Sequence, residues 1–147
     1  MTRSKRLEPV QRIAEERSSE AGRAYGERQK FLQSQVQRLE QLEQFRDDYK
    51  HGRTAAGEAG MDAYRLRDYN AFIARIEQAI KQQRELVRNL ESEVEQLRRG
   101  WMEQLSHSRA LDSAVDRMRG QERRDRNKRE QALLDELAQR RIRGDLE

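Results

Sequence analysis

IEQAIKQQRELVRNLESEVEQLRRGWMEQLSHSRALDSAVDRM, residues 76–118, decides the fold. Ile76, Ile80, Gln83, Val87, Leu90, Val94, Leu97, Trp101, Gln104, Ser108, Leu111, Val115 and Met118 follow one another four and three residues apart. That spacing keeps a narrow stripe on one side of a helix, and a stripe so thin suits a partner helix better than a globular core. A disordered chain has no reason to hold this phase for about six heptads. The expected fold is all-α: a long antiparallel two-helix coiled-coil hairpin with an unequal, overhanging C-terminal arm.

Upstream, the pattern predicts helix 1 over about residues 7–50, a loop over about 51–61 and helix 2 over about 62–143, forming a single coiled-coil unit across residues 1–147. Pro9 then falls in a first helical turn, where its missing N–H costs little. The helix 1 stripe runs through Val10, Ile13, Ala14, Ala21, Ala24, Tyr25, Phe31, Leu32, Val36, Leu39, Leu42, Phe45 and Tyr49. Arg17 and Arg28 interrupt it, and its phase slips between Tyr25 and Val36. Gly22 and Gly26 stand where large knobs are expected; small residues there permit close helix approach or a bend, and the stretch reads as thin and mobile in the protein alone. Gly52, Gly57 and Gly60 predict the break, with Asp62 as N-cap of helix 2. A helix 1 of roughly 65 Å against a helix 2 of roughly 120 Å leaves everything beyond about Ser106 without an intramolecular partner.

Charged residues make up 39% of the 147 and aromatics 5%, too little apolar surface for a compact core. No cysteine is present, and His51 and His107 stand alone, so no metal set is expected. No glycine-rich phosphate loop occurs, and a two-helix hairpin offers no cavity to shift carboxylate pKa values. No enzyme is expected, and no catalytic, cofactor-binding or metal-ligating residue is nominated. The longest apolar run, Ala71 to Ala74, is far short of the ~20 residues of a spanning helix. Neither membrane insertion nor a cleaved signal peptide is expected, and the expected location is cytoplasmic.

The polar rungs Gln83, Gln104 and Ser108 read as register-setting positions, and Trp101 as a seam knob or a partner anchor. Leu42, Phe45, Tyr49, Tyr64, Tyr69, Phe72, Ile73 and Ile76 are too many apolar residues for one seam. They form either a plug at the loop end or an exposed recognition patch. Seven basic residues against four acidic ones lie between Asp116 and Glu130. Their interleaving favours a solvated helix face, with nucleic-acid binding a lesser alternative.

The C-terminal stretch Arg129 to Ala138 contains Glu130 and, five residues on, Asp135-Glu136. It looks like the E-x-x-x-x-D-E signature of the flagellar FliJ family. Leu7-Glu8-Pro9-Val10 and Ala14-Glu15-Glu16-Arg17 are similar to that family's start. The resemblance covers essentially the whole chain. It implies a non-enzymatic stalk of the flagellar type III export apparatus, peripheral to the inner membrane. Such a stalk inserts into and stimulates the export ATPase hexamer, links it to the membrane export gate protein and meets export chaperones.

Carried over by position, the resemblance implies a gate-binding patch of Leu42, Phe45, Tyr49, Phe72, Ile76 and Ala79. Arg38 and Gln83 would share that surface but depart from the family's residues. For the ATPase ring it implies the terminal regions Leu7 to Arg17 and Arg117 to Leu137, with Leu7, Val10, Arg117, Arg119, Arg123, Arg124, Leu133, Leu134 and Leu137 as candidates. No nucleic acid is expected as partner. The rival readings are the equivalent stalk of a virulence secretion system, a basic coiled-coil nucleic-acid binder and a structural scaffold.

Overall fold

A computed structural model describes residues 1–146. Two helices, α1 (Arg3–Glu58) and α2 (Ala63–Leu146), pack antiparallel as an all-α helical hairpin. Their lengths, 56 and 84 residues, make the arms unequal as expected. All thirteen rungs of the ladder are buried or half-buried, with Ile80 and Leu90 2% exposed and Val115 fully enclosed. The heptad phase therefore places the α2 seam residue by residue.

Helix α1 has an equally regular seam, carried by residues that apolar counting passes over. Ser4, Leu7, Gln11, Ala14, Ser18, Ala21, Tyr25, Arg28, Leu32, Gln35, Leu39, Leu42 and Arg46 alternate three and four apart, and every one is buried or half-buried. No phase slip occurs between Tyr25 and Val36, because Arg28 and Gln35 are rungs. Val10, Ile13 and Phe31 instead lie largely exposed.

The turn is shorter than the glycine spacing suggested. Helix α1 continues through Gly52 and Gly57, and only residues 59–62 connect the helices. Tyr69 packs against Gly52, Arg53 Nη1 donates to Asn70 Oδ1 at 3.0 Å, and Lys50 pairs with Glu77 at 3.1 Å. These contacts to α2 hold the last turns against the glycines' roughly 0.8–1 kcal/mol penalty each. Termination falls to Gly60, whose φ of 89° is a left-handed conformation that only glycine adopts freely. Asp62 caps α2 as expected, its Oδ1 accepting the Arg65 N–H at 2.8 Å.

At its start α1 reaches back to Arg3, so Pro9 lies inside the helix. Thr2 Oγ1 accepts the Lys5 N–H at 3.3 Å in the capping position. The segment before the proline is also held by α2. Glu122 accepts the Ser4 N–H at 3.1 Å and the Ser4 hydroxyl at 2.7 Å, and Arg119 pairs with Glu8 at 3.1 Å.

Contacts divide the chain into two units. The terminal unit joins Met1–Glu20 to Met102–Glu147, and the loop unit is Ala21–Trp101. The terminal unit corrects the expected overhang. Leu111, Val115 and Met118 do have an intramolecular partner, since α1 begins earlier and ends later than the apolar stripe indicated. Gln11 donates to Asp112 at 2.6 Å. The free end of α2 begins only after Asp125, and residues 126–145 are exposed throughout.

Candidate partner-binding surfaces

In the loop unit the heptad seam turns a second row of apolar residues outward. Tyr49 and Phe72 pack ring to ring at 4.4 Å between centroids, and Tyr69 meets Tyr49 edge-on at 6.4 Å. Phe45, Tyr49 and Phe72 remain 57%, 37% and 41% exposed, a surface cluster rather than a closed plug. Leu42 and Ala79 are half-buried at its margin. Ile76 is buried in the seam, so its role is to support the patch from beneath.

Gln83 leaves the expected surface altogether. Its Nε2 donates to the Gln35 backbone carbonyl at 2.9 Å and side-chain carbonyl at 3.0 Å, locking the two helices in register. Arg38 is exposed. Tyr69 is the member that the carried-over patch omits, and its spacing from Phe72 on one helix face was the available signal. Arg46, at a seam rung, helps to line a cleft of about 340 Å3 with Glu77, Lys81, Arg84 and Arg88. Charge at a rung position could have revealed that cleft.

Farther along the loop unit, Trp101 is a seam knob. It stacks on Tyr25 at 5.6 Å and fills the space left by Gly22. Arg28 Nε lies 3.0 Å from Glu93 Oε1 in an ion pair whose angle falls short of a hydrogen bond, and its guanidinium covers Phe31 at 4.9 Å. Hydrogen bonds from Arg98, then from Arg99, hold the Glu95 carboxyl at about 2. Glu95 is therefore a fixed charge at neutral pH and no proton donor.

The terminal unit separates the basic residues that the sequence grouped. Arg119 and Arg123 line a cleft of about 740 Å3 with Lys5, Arg126 and Arg129. Arg117 and Arg124 line a different one with Met118 and Gly120. Leu7 is half-buried at the seam, and Val10 is 45% exposed. Leu133, Leu134 and Leu137 stand 51–61% exposed on the free end of α2. Arg126 and Arg129 fall within the terminal region already expected, whereas Lys5 was missed because its place in this cleft depends on the pairing of α1 with α2.

Glu122 is the clasp of this unit. The Ser4 hydroxyl and then the Ser4 N–H hold its carboxyl below the ordinary value of 4.5. Its contribution is complete above that pH and is lost as the pH falls below it, since the folded carboxylate binds its proton less tightly than an unfolded one. Both Glu122→Gln and acidification are expected to lower the protection of the Ser4 amide against hydrogen exchange, measured against the intrinsic rate at the same pH, while sparing the loop unit. Protection unchanged by either would contradict the clasp.

Among the described residues, no helix is long and apolar enough to cross a membrane, and no three His, Cys, Asp or Glu side chains gather as a metal set would.

A family model described as "Flagellar FliJ protein" matches residues 3–147. The flagellar FliJ protein of Salmonella typhi is 26% identical over 134 residues, covering 91% of each chain. That of Escherichia coli K12 is 25% identical with the same coverage. No solved structure matches the chain. Two helices packed along a heptad seam and a family match over nearly the full length agree: the chain belongs to the flagellar FliJ family, a family of flagellar export-apparatus components.

Proposed function

We propose that this protein is a non-enzymatic coupling stalk of the flagellar type III export apparatus, acting in the cytoplasm at the inner-membrane face. Its terminal unit engages and stimulates the export ATPase ring, and its loop unit engages the export gate. Escort of export chaperones belongs to the same reading, with no surface assigned to it. The observation that carries the proposal is that one hairpin bears two unlike surfaces. One is an aromatic cluster of Phe45, Tyr49 and Phe72, the other a charged cleft, lined by five basic and three acidic side chains, beside exposed leucines. A helical hairpin with family membership supports a part that connects others, not one that transforms a substrate.

Coupling is noncovalent. The terminal unit biases the ring only through contacts that differ between the ring's nucleotide states, because only differential binding shifts such an equilibrium. The test is bridging. Immobilised gate cytoplasmic domain is expected to retain the ATPase when this protein is added and to lose it when the protein is omitted. Equal retention without it contradicts the linking role.

A further inference from the structure

The free end of α2 carries a second stripe that does not continue the seam. Carried forward, the ladder would fall on Arg129, Ala132, Glu136 and Gln139, whereas the exposed stripe is Glu130, Leu134, Leu137 and Arg141. Its members are four, three and four residues apart, so they lie on one helix face. Read backwards, the order is Arg, Leu, Leu, Glu. The stripe is complementary to its own reverse.

We propose that two copies of this chain pair through this stripe as an antiparallel, two-fold symmetric contact, separate from the ring and gate contacts. Leu134 of each copy then meets Leu137 of the other, and Glu130 of each meets Arg141 of the other. A two-fold contact needs such a self-complementary patch, in which each pairing occurs twice.

Three observations favour a second copy as occupant. Leu134 and Leu137 are 61% and 51% exposed, with Leu133 beside them at 57%. Between the leucine rungs Gln131 donates to Asp135 at 3.2 Å, and Arg140 pairs with Glu136 at 2.8 Å. Glu130 and Arg141, the two charges the pairing uses, take part in no hydrogen bond or ion pair among the described residues, as is also true of Arg126, Lys128, Arg129 and Arg143. A lipid surface suits the stripe poorly, because Glu130 would enter the apolar layer with the leucines. Pairing covers the leucines proposed above for the ring, so the paired form is withheld from the ATPase.

Sedimentation of the full chain at low ionic strength, from low to high micromolar, tests the pairing without any ATPase. A monomer–dimer equilibrium is expected. Glu130→Arg alone and Arg141→Glu alone each place like charges in both outer layers and weaken association about tenfold or more. An equimolar mixture of the two variants restores it, since one copy then presents two arginines and the other two glutamates. Circular dichroism verifies that both variants keep the parent's helicity, as their exposed positions require. A chain that stays monomeric throughout, single variants that associate like the parent, or a mixture that fails to recover would each overturn the proposal.

Discussion

Gly22→Leu is expected to destabilise the loop unit by about 2 kcal/mol, even though it removes a glycine from a helix interior. A Cβ at Gly22 would stand 2.9 Å from Trp101 Nε1 and 3.2 Å from Cε2. The indole is rigid and stacked on Tyr25, so it cannot turn aside as a lysine end would. Overpacking of this kind costs roughly 1–3 kcal/mol, and losing the aromatic stack adds about 0.5–1.5 kcal/mol. The gain in helix propensity returns only about 0.8–1 kcal/mol. Gly26→Ala supplies the contrast, because nothing lies within 4 Å of its added Cβ. There the propensity gain stands alone, and a stabilisation of about 0.8–1 kcal/mol is expected. Urea denaturation followed by circular dichroism separates the two, with Trp101 fluorescence reporting the displaced ring. Equal stabilisation by both would show that Trp101 does not fill the Gly22 site.

Tyr49→Ala with Phe72→Ala is expected to weaken gate binding about 10–100-fold while leaving ATPase stimulation within about twofold, as aromatic anchors at the centre of a patch dominate interfaces. The substitutions leave the seam intact, because both side chains are more than a third exposed. Their mutual packing at 4.4 Å predicts non-additivity, so each single change should already remove much of the binding. Titration of the gate cytoplasmic domain, beside hydrolysis by the ATPase, checks the separation. Parallel loss of both functions would contradict surfaces that act independently.

How much of this was legible depends on what each residue contributes to a two-helix seam. The α2 ladder was readable because Ile80, Val87, Leu90 and Val115 are large, apolar and in phase. The α1 seam was not, because Ser4, Gln11, Ser18, Arg28 and Gln35 occupy rungs with small or polar groups. An antiparallel pair tolerates these where the opposite residue fills or satisfies them, as Glu122 does for Ser4 and Gln83 for Gln35. Counting apolar residues alone turned such rungs into an apparent slip of phase. The same blindness misplaced the helix ends. Tertiary contacts at Tyr69, Asn70 and Glu77 carry α1 through Gly52, and Glu122 anchors the turn before Pro9. Local propensity contains neither effect. Asp62 was legible because a cap is a local device.

The surfaces were legible in part. Excess aromatics near the turn signalled an exposed patch, since two facing stripes cannot bury so many rings. Which of them face outward required the pairing, which keeps Ile76 and Gln83 in the seam where the ladder put them and so removes them from the carried-over patch. The basic run read as one cluster but divides between two clefts, because residues adjacent in sequence lie on different faces of a helix.

The most direct test of the coupling account is ATP hydrolysis by the flagellar export ATPase from the same source. It is measured alone, with the full chain, and with a chain ending at Arg129 that keeps the paired seam but lacks the exposed leucines. The account predicts a clear rise with the full chain and its loss with the shortened one, at matched helicity and fixed moderate salt. No rise with the full chain, at concentrations where both proteins stay in solution, would contradict it.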